Sequence, residues 1–256
     1  MVRSLYTACT GMVHQMNRLD VVTNNMANSD TTAYKKEGST SQSFDSVYGI
    51  KINDSSVNYI HQNIGRMSLG VKVGETYTDY GDGNLEETEQ LYDMALSGKG
   101  FFAISYADRN GNESVRYTRD GNFTVNSQGV LVTKDGDFVL AEDGGLINIP
   151  EGVKISVDES GRITADGQEI AQLQLVDFED YNYLEKFGEN MYIAIDGATT
   201  KDAQCKVYQG YLEASNVNVV TEMVDMITIT RDYESNQKVI QTIDSTLEKS
   251  VALGRI

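Results

Sequence analysis

Few residues of this chain have types that could do chemistry. They are His14 and His61, Cys9 and Cys205, a glycine–lysine run and several acidic pairs. Metal binding or proton transfer by a histidine needs a second ligand or an orienting partner at a fixed spacing. Neither histidine has a His, Cys or carboxylate so placed, and His14 lies off the apolar stripe of its segment, so it is expected on the surface. Ser97-Gly98-Lys99-Gly100 has part of a phosphate loop. Such a loop needs an earlier glycine and a Ser or Thr after the lysine to reach Mg²⁺. Asp93 and Gly100 occupy those places, so the run reads as a glycine-rich lead into a strand. Asp108 to Glu113 offers oxygens for calcium but not the twelve-residue loop closed by a bidentate Glu, and a hairpin turn at Asn110-Gly111 accounts for it. Glu86-Glu87 and Glu179-Asp180 are pairs that so acidic a chain contains anyway. No Gly-x-Ser-x-Gly elbow occurs. No catalytic, cofactor-binding or metal-binding residue is assigned, and no cofactor is expected.

Composition narrows the partners. The 256 residues carry 38 Asp and Glu against 21 Lys and Arg, a net charge of −17. Nucleic-acid binding requires a basic face that displaces counterions, so that class is excluded, and an anionic membrane surface is disfavoured. No apolar run approaches the roughly 18–20 residues of a spanning helix, so membrane insertion is not expected. The first residues lack the apolar core of a cleaved signal peptide. Two cysteines make no disulfide framework. Cys9 reads as a small apolar residue buried in a helix.

The elements that would have to position a site give a clearer pattern. Residues 3–28 read as one helix, ended by Asn28-Ser29-Asp30. Residues 31–70 read as an extended connector and 71–210 as a β domain. Within it, short alternating runs such as Phe101–Ile104, Val115–Thr118 and Ile163–Ala165 are separated by Asp120-Gly121, Asp135-Gly136, Ser160-Gly161 and Asp166-Gly167. Such dipeptides supply the backbone of tight hairpins, so the domain is expected to be antiparallel and all-β. From Asn216 or Asn218, either a good N-cap, a second helix runs to about Ser250, with Gly254 as terminator. The organisation is therefore an N-terminal helix (1–30), connector (31–70), β domain (71–210) and C-terminal helix (211–256), an α+β fold.

Both helices carry a narrow seam. In the first, Leu5, Met12, Leu19 and Met26 recur every seven residues, with Cys9, Met16 and Thr23 at the alternate positions. In the second, Met226, Ile229, Tyr233, Asn236, Ile240, Ile243 and Leu247 alternate spacings of three and four. A heptad keeps one stripe facing a partner helix, and a single polar residue such as Asn236 can fix register. The seams suit either an amphipathic helix packed on its own domain or a coiled coil within or between chains.

Three separated blocks also resemble the bacterial flagellar rod and hook proteins. The first is Leu5-Tyr6-Thr7-Ala8, Gly11-Met12, Leu19-Asp20, Thr23-Asn24-Asn25-Met26-Ala27-Asn28 and Thr31-Thr32-Ala33-Tyr34-Lys35. The second is Gly83-Asn84-Leu85, Asp93-Met94-Ala95-Leu96, Gly98-Lys99-Gly100-Phe101-Phe102 and Tyr117-Thr118-Arg119-Asp120-Gly121. The third is Gln209-Gly210-Tyr211-Leu212-Glu213-Ala214-Ser215-Asn216, Glu222-Met223-Val224 and Tyr233-Glu234. The resemblance implies a non-enzymatic structural subunit of the flagellar basal-body rod, the shaft linking motor and hook. It implies export without cleavage through the flagellar type III apparatus, and helical self-assembly alongside other rod and hook proteins. The terminal helices would pair as a coiled coil, with the β domain outside. A distal-rod member is favoured over a proximal-rod one. A β-domain adhesion module with helical oligomerisation ends is the competing reading.

Overall fold

The N-terminal heptad becomes helix α1, Val2–Ala27, and the C-terminal seam becomes α2, Val219–Leu253. Asn218 is the N-cap of α2. Its side chain accepts from the Thr221 N–H at 3.2 Å, and Glu222 stands in the first turn, where the helix dipole favours a carboxylate. Gly254 does stand at the C-cap, but with φ of −79° it is right-handed rather than left-handed, and its N–H returns to the Ser250 carbonyl at 3.2 Å.

The computed structural model describes residues 2–51, 62–107, 113–150, 153–188 and 190–254, and these fall into two units. The first unit holds α1, residues 37–79 and α2. The segment read as a connector contains strands of it. β1 (Glu37–Ser43) pairs antiparallel with β4 (Val71–Thr78), and β2 (Val47–Lys51) with β3 (Gln62–Met67). The β1–β4 register slips between Ser39 and Ser41, a bulge of the kind that bends a ribbon.

The second unit, 28–36 and 80–217, is the β domain. Its largest sheet has nine strands. One run of neighbours is β16 (Leu184–Phe187), β17 (Met191–Ala194), β8 (Glu113–Thr118), β7 (Phe101–Ala107), β11 (Phe138–Val139), β10 (Leu131–Thr133) and β9 (Phe123–Val125). β15 (Leu175–Phe178) joins the start of β7 and itself pairs with β18 (Thr200–Asp202). A three-stranded meander is formed by β12 (Ile155–Val157), β13 (Arg162–Ala165) and β14 (Gln168–Gln172). β19 (Gln204–Gln209) pairs with β6 (Met94–Lys99), and β20 (Tyr211–Glu213) with β5 (Leu85–Glu87). All these pairings are antiparallel, as the hairpin signals imply. Asp166 and Gly167, at φ of 50° and 80°, make the double positive-φ turn between β13 and β14.

Consecutive residues of a strand face opposite ways, and β7 uses both. Phe102 and Ile104 enter the main core with Met94, Leu96, Phe123, Leu131, Ile147 and Ile163. Phe101 enters a second, aromatic cluster with Phe178, Leu184 and Tyr192, joined by Tyr80 and Tyr181. Each fully buried Phe or Ile contributes roughly 1.5–3 kcal/mol of transfer free energy. Ser97-Gly98-Lys99-Gly100 ends β6 and leads into β7, so it is strand rather than phosphate loop.

Candidate assembly surfaces

The two helices lie against each other antiparallel. Asn25 Nδ2 lies 3.3 Å from Glu222 Oε2, Gln15 Nε2 donates to Asp232 Oδ2 at 3.2 Å, and Gly11 abuts Asn236. The ten residues down from Asn25 to Gln15 match ten up from Glu222 to Asp232, and the next four match four. A Cβ on Gly11 would sit 3.1 Å from Asn236 Nδ2, so the polar residue of the C-terminal seam rests on the glycine of α1.

On α2 the covered stripe consists of Glu222, Met226, Ile229, Tyr233, Asn236, Ile240, Ile243 and Leu247, with Ile229 fully buried. On α1, Leu5, Met12, Leu19 and Met26 are half-buried, but the alternate positions covered with them are Ala8, Gln15 and Val22. Cys9, Met16 and Thr23 are exposed. Cys9, expected to be buried, instead joins Tyr6, Val13 and Met16 in a second stripe spaced three, four and three residues, open to solvent. Val220, Met223, Val224 and Ile227 give the start of α2 a similar exposed apolar face. Contiguous exposed apolar side chains of this kind mark interaction surfaces.

His14 also differs from the expectation of a surface position. It is buried, not exposed, because β1 covers that side of α1, and its Nε2 is 2.8 Å from Ser41 Oγ. Burial, and then the nearby Arg18 charge, hold its pKa below the ordinary value. His61 and the expected turn at 110–111 lie outside the described residues. Asn25 adds a polar clamp in the same unit. Its amide donates to the Glu37 carbonyl at 2.8 Å and accepts from the Glu37 N–H at 2.9 Å.

In the β domain the motif blocks converge on a buried ion network. Lys35 and Glu213 have side chains with no solvent exposure, and Lys35 Nζ meets Glu213 Oε1 at 2.6 Å. Lys35 also donates to the Gly81 carbonyl at 2.8 Å. The Gly83 N–H donates to Glu213 Oε1 at 2.9 Å, and Arg119 Nε stands 3.1 Å from Glu213 Oε2. That last contact is an ion pair by distance without hydrogen-bond alignment. Arg119 then donates to Asp82 Oδ1 at 3.0 Å and to the Gly98 carbonyl at 2.6 Å. Gly83 is required because a Cβ there would run into the Ala214 carbonyl oxygen. Burial, and secondly the Arg119 charge, lower the Lys35 pKa against the opposing pull of Glu213. The backbone fastens the same segments, Ala33 N–H to the Glu213 carbonyl at 2.7 Å and Lys36 N–H to Asn216 Oδ1 at 2.7 Å. The chain's way into the β domain and its way out are thus bolted side by side. Composition and spacing did not reveal this network, because its members are 84 and 178 residues from Lys35. Their only sequence signal was that each stands in a motif block.

Comparison with known proteins covers the same regions. The model of the flagella basal body rod protein family matches residues 5–35. That of the flagellar hook protein FlgE/F/G D1 domain matches 95–165, and that of the flagellar basal body rod FlgEFG protein C-terminal region matches 208–253. The chain is 33% identical over 265 residues to flagellar basal-body rod protein FlgG of Buchnera aphidicola subsp. Schizaphis graminum, covering 97% of this chain and 98% of that one. It is 32% identical over 269 residues to FlgG of Bacillus subtilis, with both chains fully covered. It is 33% identical over 253 residues to flagellar basal-body rod protein FlgF of Caulobacter vibrioides, covering 98% and 96%.

Proposed function

Because this chain belongs to the flagellar basal-body rod protein family, we propose that it is a structural, non-catalytic subunit of the rod, polymerising helically through its paired terminal helices. It works in the flagellar basal body. The observation that carries the assembly reading is the distribution of apolar surface on the helices. One stripe of each is covered within the chain, and a second on each, Tyr6-Cys9-Val13-Met16 and Val220-Met223-Val224-Ile227, is left for neighbouring subunits. A surface patch that meets a different patch on the next copy generates an open helical polymer. The seam residues Leu5, Met12, Leu19, Met26, Met226, Ile229, Tyr233, Asn236, Ile240, Ile243 and Leu247 hold the pair together as a short coiled coil, and Cys9 and Met16 face neighbours.

The domains proposed are assembly helices at 1–30 and 211–256, a segment at 31–70 whose strands β1 to β3 belong with the helices, and a β domain at 71–210 of which β4 also belongs with them. The buried Lys35–Glu213–Arg119 network keeps both chain crossings of that domain fixed. Partners are further copies of the chain, other rod and hook proteins, and the flagellar export apparatus, through which the chain passes uncleaved. The similarity to FlgG proteins over the full chain favours a distal-rod place. The FlgF similarity supports a proximal-rod place as the second reading.

Deleting residues 219–256 tests the reading. The expected product is a soluble monomer with the β domain folded and no polymer by sedimentation or electron microscopy. Normal polymerisation of the truncated chain would overturn it.

A further inference from the structure

Among the described residues, the register of the helix pair leaves the end of α2 beyond Leu247 uncovered. Counting nine residues from Gly11 back to Val2, where α1 begins, and nine forward from Asn236 brings α2 to Ser245. Its remaining turns, to Leu253, run past the start of α1. At about 1.5 Å per residue that is an overhang of roughly 12 Å. It carries Val251 and Leu253, 66% and 73% exposed, together with the exposed charges Glu248 and Lys249. The last turn holds no basic residue, so no charge within that turn offsets the negative end of the helix dipole.

The same unit contains a groove with the opposite character. Tyr6 and Thr10 of α1 line it with Phe44 and Leu69, and its volume is about 330 Å³. Arg3 and Asp45, both exposed, stand at it. A second, smaller pocket shares Arg3 and Leu69. The overhang cannot fill the groove of its own chain, because it extends beyond Val2 and away from Tyr6 and Thr10, and a continuous helix cannot turn back within two turns.

We propose that the overhanging end of α2 in one copy docks in the Arg3–Tyr6–Leu69 groove of the next copy. Val251 and Leu253 enter the apolar floor, Arg3 meets Glu248 and the terminal carbonyls of the helix, and Asp45 meets Lys249. The contact joins two different surfaces, so each docked copy presents a fresh tip and the chain of contacts stays open. The proposal rests on the self-assembly reading above and adds a defined contact to it.

Two experiments test it on the full-length chain. The first compares Leu253→Asp and Leu69→Asp with wild type in a polymerisation assay. Leu253 is 73% and Leu69 40% exposed in the single chain, so circular dichroism should be unchanged for both and melting unchanged for Leu253→Asp. The critical concentration should rise at least about tenfold, as expected when buried apolar contact is replaced by a charge. The second mixes copies carrying Leu253→Cys with copies carrying Leu69→Cys, in a Cys9→Ser background, under a mild oxidant. Disulfide-linked dimers should form in the mixture beyond those of either variant alone, and a ladder should form when one chain carries both cysteines. Wild-type critical concentrations for the Asp variants, or polymers in which the two cysteines do not link, would overturn the docking while leaving helix-driven assembly standing. If the wild-type chain forms no polymer at all, the assembly reading falls, and the docking with it.

Discussion

Glu213→Ala should destabilise the β domain strongly. Glu213 has no solvent exposure and accepts from both Lys35 Nζ and the Gly83 N–H, with Arg119 Nε 3.1 Å away. Its removal leaves a buried ammonium beside a buried guanidinium, and an amide without its acceptor. Breaking a buried pair from one side costs about 3–5 kcal/mol, a large share of a typical stability of about 5–15 kcal/mol. For a domain of the size of 28–36 plus 80–217, each kcal/mol moves the melting midpoint by roughly 2–4 °C. The expected fall is therefore about 10 °C. Near-ultraviolet circular dichroism is the suitable assay. The chain has no tryptophan, and Tyr80, Tyr181 and Tyr192 pack together within the β domain. The double variant Lys35→Met, Glu213→Leu should recover part of the loss, because it removes the stranded ammonium although Arg119 and the Gly83 N–H still lack Glu213. A Glu213→Ala midpoint within about 2 °C of wild type would refute the reasoning. So would a double variant as unstable as the single one, which would point to lost shape rather than lost charge.

Two further predictions concern the helix pair. Gly11→Leu should loosen it, because even a Cβ at this position meets Asn236 at 3.1 Å. The cost should be about 1–3 kcal/mol of overpacking, read as lower protection of α1 and α2 amides in hydrogen exchange, and unchanged protection would contradict it. His14 should make the helix unit acid-sensitive. Its pKa is lowered in the folded chain, so between that value and the unfolded pKa of about 6.5 the unfolded state binds more protons and stability falls as the pH falls. Comparing helix unfolding of wild type and His14→Gln from pH 8 to 5 isolates this contribution. The variant should have the flatter profile, and identical profiles would refute the assignment.

Both helices and the antiparallel character of the β domain were legible in the sequence because they rest on local patterns, heptad spacing and paired-residue turns. The C-terminal seam coincides with the covered stripe of α2 because large apolar residues fill it at almost every position. On α1 half of the pattern misled. The covered alternate positions are Ala8, Gln15 and Val22, which are small, polar or medium in size, whereas the more conspicuous Cys9 and Met16 lie one residue further round the helix and face solvent. The covering of His14 depends on β1, a polar strand of Ser, Thr and Gln that carries little hydrophobic signal. The buried ion network joins residues far apart in sequence, and no periodicity encodes such a meeting.

Electron cryomicroscopy of the polymer formed by the purified full-length chain would show which surfaces join the subunits. The expected result is a helical filament in which α1 and α2 of each subunit stay paired and the Tyr6-Cys9-Val13-Met16 stripe is covered by neighbouring subunits. A filament held together by β-domain contacts, with that stripe still facing solvent, would contradict it.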